Sequence, residues 1–78
     1  MSVQDIRASF VICPVGGEIN VSARSYGEIN VQVIMEALGG GGHMTMAGTQ
    51  LRDMTVAQAE ERVRAAIKEY FRQNGLPG

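Results

Sequence analysis

Four consecutive glycines, Gly39–Gly42, interrupt the 78-residue chain near its middle. No regular helix is expected to cross such a run, because glycine loses more backbone freedom on ordering than any other residue. Strands and a helix are therefore sought separately before and after the run. One glycine is enough to stop a helix. The other three, and the chain's single histidine placed directly after them at His43, ask for a further reason.

Before the glycines, Ala8 to Cys13 is apolar and β-prone and reads as a buried strand ended by Pro14. The following Pro-Val-Gly-Gly-Glu turns the chain. From Glu18 to Ser25, Ile19, Val21 and Ala23 alternate with Asn20, Ser22 and Arg24, which predicts a strand with one apolar and one polar face. The two strands form a hairpin. The pentapeptide Gly-Glu-Ile-Asn-Val occurs at Gly17–Val21 and again at Gly27–Val31, but the continuations differ. After the second copy, Val31, Ile34, Met35 and Leu38 fall on one helix face, with Asn30 as N-cap and Gly39 as the C′ stop.

After the glycines, Met46 to Leu51 reads as another strand. Thr55 and Gln58 fit a capping box opening a helix whose stripe is Val56, Ala59, Val63, Ala66, Ile67 and Tyr70. Glu60, Arg64 and Lys68 line its outer face, and Gly75 and Pro77 close it. The expected architecture is an α+β domain of order β-β-α-β-α, with three or more strands in a sheet and the helices packed on one face. It forms one domain over residues 1–78, with residues 1–7 and 75–78 loose.

A net charge of −1 gives no general electrostatic reason to bind nucleic acid or an acidic membrane, so anion binding would have to be local. The single cysteine, Cys13, cannot form an internal disulfide and, in an apolar strand, reads as inert packing. No apolar run approaches the ~20 residues of a membrane span, and the N-terminus lacks a signal-peptide shape, so the chain reads as cytoplasmic and without membrane contact of its own.

Two features carry chemistry. Gly40, Gly41 and Gly42 go beyond helix termination and suit a nest of successive backbone N–H groups around a phosphate, with His43 at its rim. No Walker sequence follows, and the glycines follow a helix rather than a strand, which excludes a dinucleotide fingerprint. A flexible glycine-rich connection with a solvated histidine explains the same residues and stays open. Arg24, on the polar strand face beside Ser22 and near Ser25, suits a phosphate or carboxylate, although an exposed strand arginine needs no ligand. Metal-assisted hydrolysis is not expected from this chain, because its two Asp, Asp5 and Asp53, sit at segment boundaries far in sequence from His43. The methionines read as core filler, with Met44 and Met46 flanking the glycine site.

The Ser-Ala-Arg-Ser of Ser22–Ser25, followed by Ile29–Gly48 with its helix leading into Gly-Gly-Gly-His, resembles the DHHA1 domain of DHH-family phosphoesterases. The wording is closest to that of GdpP-type cyclic-di-AMP phosphodiesterases. The resemblance implies a substrate-binding C-terminal domain that is not catalytic by itself. Gly40 to His43 would hold a substrate phosphate and Arg24 would lie near the substrate. Manganese and the attack on the diester would belong to a DHH domain elsewhere in the full-length chain. The substrate would be cyclic-di-AMP, pApA or a short oligonucleotide, and a GdpP-type parent would be anchored at the membrane through N-terminal segments. Met46 departs from the family pattern, which often has Ala or Asn there. The resemblance also admits, as an alternative, the DHHA1 domain of an oligoribonuclease, a pAp phosphatase or a RecJ-like exonuclease. DHHA1-like domains of alanyl-tRNA synthetases suggest an RNA-binding accessory role, against which stand the slight acidity and scarce aromatics of this chain.

Overall fold

A computed structural model describes residues 2–5 and 7–76. The elements are β1 (Ser2–Asp5), β2 (Ala8–Val15), β3 (Glu18–Ser25), α1 (Val31–Glu36), β4 (Gly41–Gly42), β5 (Met46–Arg52) and α2 (Val56–Gln73). The five strands form one antiparallel sheet in the order β1-β2-β3-β5-β4. The fold is α+β, with both helices on one face and the other face open.

The core follows the period-two pattern. Phe10, Ile12, Ile19, Val21, Ala23 and Leu51 point to the helix side and meet Val31, Ile34 and Met35 of α1 and Ala59, Val63, Tyr70 and Phe71 of α2. Alternation also governs β2, although its apolar run reads as a fully buried strand. Val11 and Cys13 face the open side, so Cys13 is exposed rather than packed in the interior. Pro14 does not end β2: it pairs with Ile19, and the strand runs on to Val15. The β1 pairing stops at Val11, so Pro14 lies where the outer edge of β2 is open and a missing N–H is tolerated.

Two strands are added to the sequence reading. Ser2–Asp5, expected to be loose, pairs with Ala8–Val11 as an edge strand. Arg7 holds this corner, bonding Asp5 at 2.9 Å while its guanidinium lies 4.5 Å from the centre of the Phe71 ring of α2. Gly41–Gly42 forms the opposite edge against Ala47–Gly48.

The helix termini follow the expected chemistry. The Asn30 side chain accepts from the Gln32 and Val33 amides. The Asn30 amide itself donates to the Tyr70 hydroxyl at 3.0 Å, tying the start of α1 to the end of α2. Thr55 and Gln58 make the reciprocal capping box. Glu60 pairs with Arg64 at 3.1 Å on the outer face of α2, while the last turn uses Glu69 and Arg72. Gly75, at φ +65°, closes α2, and the Leu76 amide reaches back to the Phe71 carbonyl at 2.9 Å. Pro77 and the end of the expected loose tail lie outside the described residues.

Candidate functional site

Register on the open face decides which side chains meet, since residues directly opposite in neighbouring strands share a face. One row across the sheet is Ser9, Arg24 and Met46. The next is Val11, Ser22, Gly48 and Gly41. The second row has two members without side chains, so the face is hollowed there. Gly41 and Gly48 floor the depression, with Ser22 and Val11 continuing the row. Arg24, Met46 and Tyr26 stand beside it, and Gly42 and Ala47 complete the lining. The volume is about 560 Å³, within the range of small-ligand sites. Among the described residues, Arg24 has no side-chain hydrogen bond or ion pair, which leaves its five N–H donors available.

The glycines of the run have separate jobs. Gly39, at φ +89°, is the C′ residue of a Schellman motif. Its amide donates to the Glu36 carbonyl at 3.0 Å, and the Gly40 amide donates to the Met35 carbonyl at 2.8 Å. A Cβ on Gly40 would lie 2.1 Å from the Gly48 carbonyl oxygen, so only glycine fits there. Gly42 has φ +145°, and a Cβ on it would come within 2.5 Å of the Ala47 Cα. Gly41 has neither constraint: its φ is not positive and a Cβ would meet nothing within 4 Å. Gly41 is the one residue of the four that the fold does not need as glycine, and its missing side chain faces the hollow.

These bonds revise the expected nest. The Gly40 amide is committed to Met35, and the His43 amide to the Met46 carbonyl at 2.6 Å. That last bond makes His43 and Met46 a hydrogen-bonded pair. Ladder alternation then points the Gly41 amide toward Gly48 and leaves only the Gly42 amide directed to the open edge. Successive N–H groups therefore do not converge, and the glycines act by removing side chains. His43 is exposed at the turn closing β4 onto β5, just outside the hollow.

Ser25 is not in the site. It falls in the opposite phase of β3 from Ser22 and Arg24, is buried on the helix side, and its hydroxyl accepts from the Gly27 amide at 3.2 Å. Met44 and Met46 are exposed instead of filling the core. Tyr26 carries no sequence signal for the site, and Gly48 enters the sequence reading only as part of the small pair Ala47-Gly48. Gly48 is separated from the glycine run by five residues and joins it only through cross-strand pairing. Among the described residues no three His, Cys, Asp or Glu side chains are placed to share a metal ion, and no helix is long and apolar enough to cross a membrane.

The DHHA1 domain family matches residues 2–73, which takes in the whole sheet, both helices and the hollow. The chain belongs to the DHHA1 family. Among relatives of this DHHA1 domain, the cyclic-di-AMP phosphodiesterase GdpP of Geobacillus thermodenitrificans is 53% identical over 78 residues, 99% of this chain and 12% of the relative. The cyclic-di-AMP phosphodiesterase PdeA of Listeria monocytogenes is 52% identical over 73 residues, 92% of this chain and 11% of the relative. The bifunctional oligoribonuclease and PAP phosphatase NrnA of Thermus thermophilus is 42% identical over 57 residues, 73% of this chain and 18% of the relative. The chain thus spans less than a fifth of the length of each of these proteins.

Proposed function

We propose that this DHHA1 domain is the substrate-holding part of a DHH-family phosphodiesterase that acts on cyclic-di-AMP or a similar small nucleotide. The observation that carries the reading is Arg24, without a side-chain partner among the described residues, beside a hollow whose floor is kept free of side chains by Gly41 and Gly48. A phosphate seated there takes charge-assisted hydrogen bonds from the guanidinium, worth about 1.5–3 kcal/mol. The Ser22 hydroxyl adds a neutral donor, and the Gly42 amide and His43 stand at the open edge. The identity of 50–53% to phosphodiesterases named for cyclic-di-AMP supports that substrate over longer nucleic acid.

The chemical division of labour follows. Manganese and the attacked diester belong, in this reading, to a DHH domain of the full-length protein, in a parent anchored at the membrane and facing the cytoplasm. The present chain fixes the phosphate that is not attacked. Holding that group converts a bimolecular encounter into a positioned reaction, a contribution of orientation rather than of acid–base chemistry.

The test is an amide chemical-shift titration of the 78-residue chain with ribose 5-phosphate, AMP and pApA. Shifts concentrated at Ser22, Arg24, Gly41, Gly42 and His43 are expected, with affinity reduced ~10- to 150-fold in Arg24→Ala. Equal affinity in Arg24→Ala removes Arg24 from the site, and no shifts at millimolar ligand refute the phosphate site in this chain.

A further inference from the structure

We propose that Tyr26 is the platform on which a purine base of the ligand stacks, and so sets the preference of this site for nucleotides over simple phosphate esters. The inference rests on the phosphate reading above and extends it to the base. Tyr26 is a large aromatic residue that is 62% exposed, yet it is fixed at both ends. Its amide donates to the Arg7 carbonyl at 2.9 Å, and its hydroxyl lies 3.0 Å from the Ser9 Oγ. The adjacent Ser25 amide is held by the Thr45 carbonyl at 2.9 Å, so the backbone on its N-terminal side is also anchored.

The hydroxyl bond has a geometric consequence. Ser9 is the cross-strand partner of Arg24, so the Tyr26 ring reaches back from the end of β3 toward the Arg24 row. Tyr26 and Arg24 line the same hollow, with Val11 and Met46, both about half exposed, as further apolar wall. A flat apolar surface beside a phosphate-binding guanidinium matches the two ends of a nucleotide, with the ribose bridging them. Because the ring is already held in place, stacking orders little that is not ordered beforehand. Stacking tolerates any base but is stronger for larger ring systems, which favours a purine.

The experiment titrates the chain and its Tyr26→Leu and Tyr26→Phe variants with AMP and with ribose 5-phosphate, following the Tyr26 ring protons, the Arg24 amide and the two affinities by NMR. AMP is expected to shift the Tyr26 ring protons upfield, and ribose 5-phosphate is not. Tyr26→Leu should weaken AMP roughly 5- to 150-fold and leave ribose 5-phosphate unchanged. Tyr26→Phe keeps the ring and should retain most of the AMP preference. An unchanged AMP affinity in Tyr26→Leu, or an equal loss for both ligands, overturns the base platform while leaving the phosphate site standing. Conversely, a Tyr26 ring shift with AMP but no response of Arg24 to either ligand overturns the phosphate reading alone. Absence of both responses overturns both.

Discussion

Substituting alanine at two adjacent glycines should separate what the fold requires from what the ligand requires. Neither Gly40 nor Gly41 has a positive φ, so alanine meets no backbone penalty at either position. The surroundings differ. At Gly40 the new Cβ would lie 2.1 Å from the Gly48 carbonyl oxygen and 2.5 Å from the Thr49 Cβ, and β5 or the α1 terminus has to move. Overpacking of this kind costs about 1–3 kcal/mol. A domain of this size shifts its Tm by ~4–8 °C per kcal/mol, so Gly40→Ala should lower Tm by roughly 4–24 °C. At Gly41 there is open space, and removing glycine's unfolded-state freedom stabilises by about 0.4–1 kcal/mol. Gly41→Ala should therefore melt at or above the wild-type temperature. Its methyl group nevertheless enters the hollow, and the bulkier Gly41→Val should abolish phosphate binding while the helical circular dichroism is retained. Thermal unfolding by circular dichroism and ribose 5-phosphate titration read the two effects separately. A Gly40→Ala melting at the wild-type temperature, or a Gly41→Val that binds normally, refutes the division of roles within the run.

Three further outcomes follow from single contacts. Thr49→Val removes the hydroxyl that donates to the Leu38 carbonyl at 3.1 Å from a nearly buried position, and should cost about 1–3 kcal/mol by chemical denaturation; an unchanged midpoint means the carbonyl finds another partner. Thr55→Ala breaks the capping box of α2 and should cost ~1 kcal/mol in the same assay, with no change in ribose 5-phosphate affinity because α2 lies across the sheet from the hollow. The hydrogen bond from Arg7 holds the Asp5 carboxyl down from 3.8 to about 2, so the contribution of this pair is complete above pH 3.8 and is lost as pH falls toward 2. The wild type should lose stability relative to Asp5→Asn across that window, and parallel pH profiles would show that the pair forms equally in the unfolded chain.

The fold was legible where a single period dominates. The alternation Ile19, Val21, Ala23 against Asn20, Ser22, Arg24 fixes which face of β3 is buried, and the caps Asn30, Thr55 and Gln58 fix where the helices start. It was not legible where the pattern is blurred by partners distant in sequence. The run Phe10-Val11-Ile12-Cys13 is apolar at every position, yet only alternate members are buried, because the open face of the sheet is itself lined by Val11, Met46 and Tyr26. Neither β1 nor β4 has alternation of its own. Ser2–Asp5 is largely exposed, and Gly41–Gly42 has no side chains to alternate, so each is a strand only through its neighbour's backbone.

The site shows the same limit more sharply. Ser25 and Arg24 are adjacent in sequence, which in a strand is the arrangement that keeps their side chains apart. Ser9 and Met46 are remote from Arg24 in sequence and lie directly opposite it on either side. Adjacency likewise suggested that the glycines present a row of amides, because four in succession look like a loop built for backbone donors. Paired into a sheet, the same residues have their amides largely occupied, and Gly41 contributes an empty position that Gly48 extends across the strand boundary. The hollow is therefore a property of two cross-strand glycines and not of one glycine-rich segment. An alanine at either would fill part of the same floor, but only at Gly41 would it do so without pressing on the fold, since a Cβ at Gly48 would come within 2.9 Å of the Val21 carbonyl oxygen.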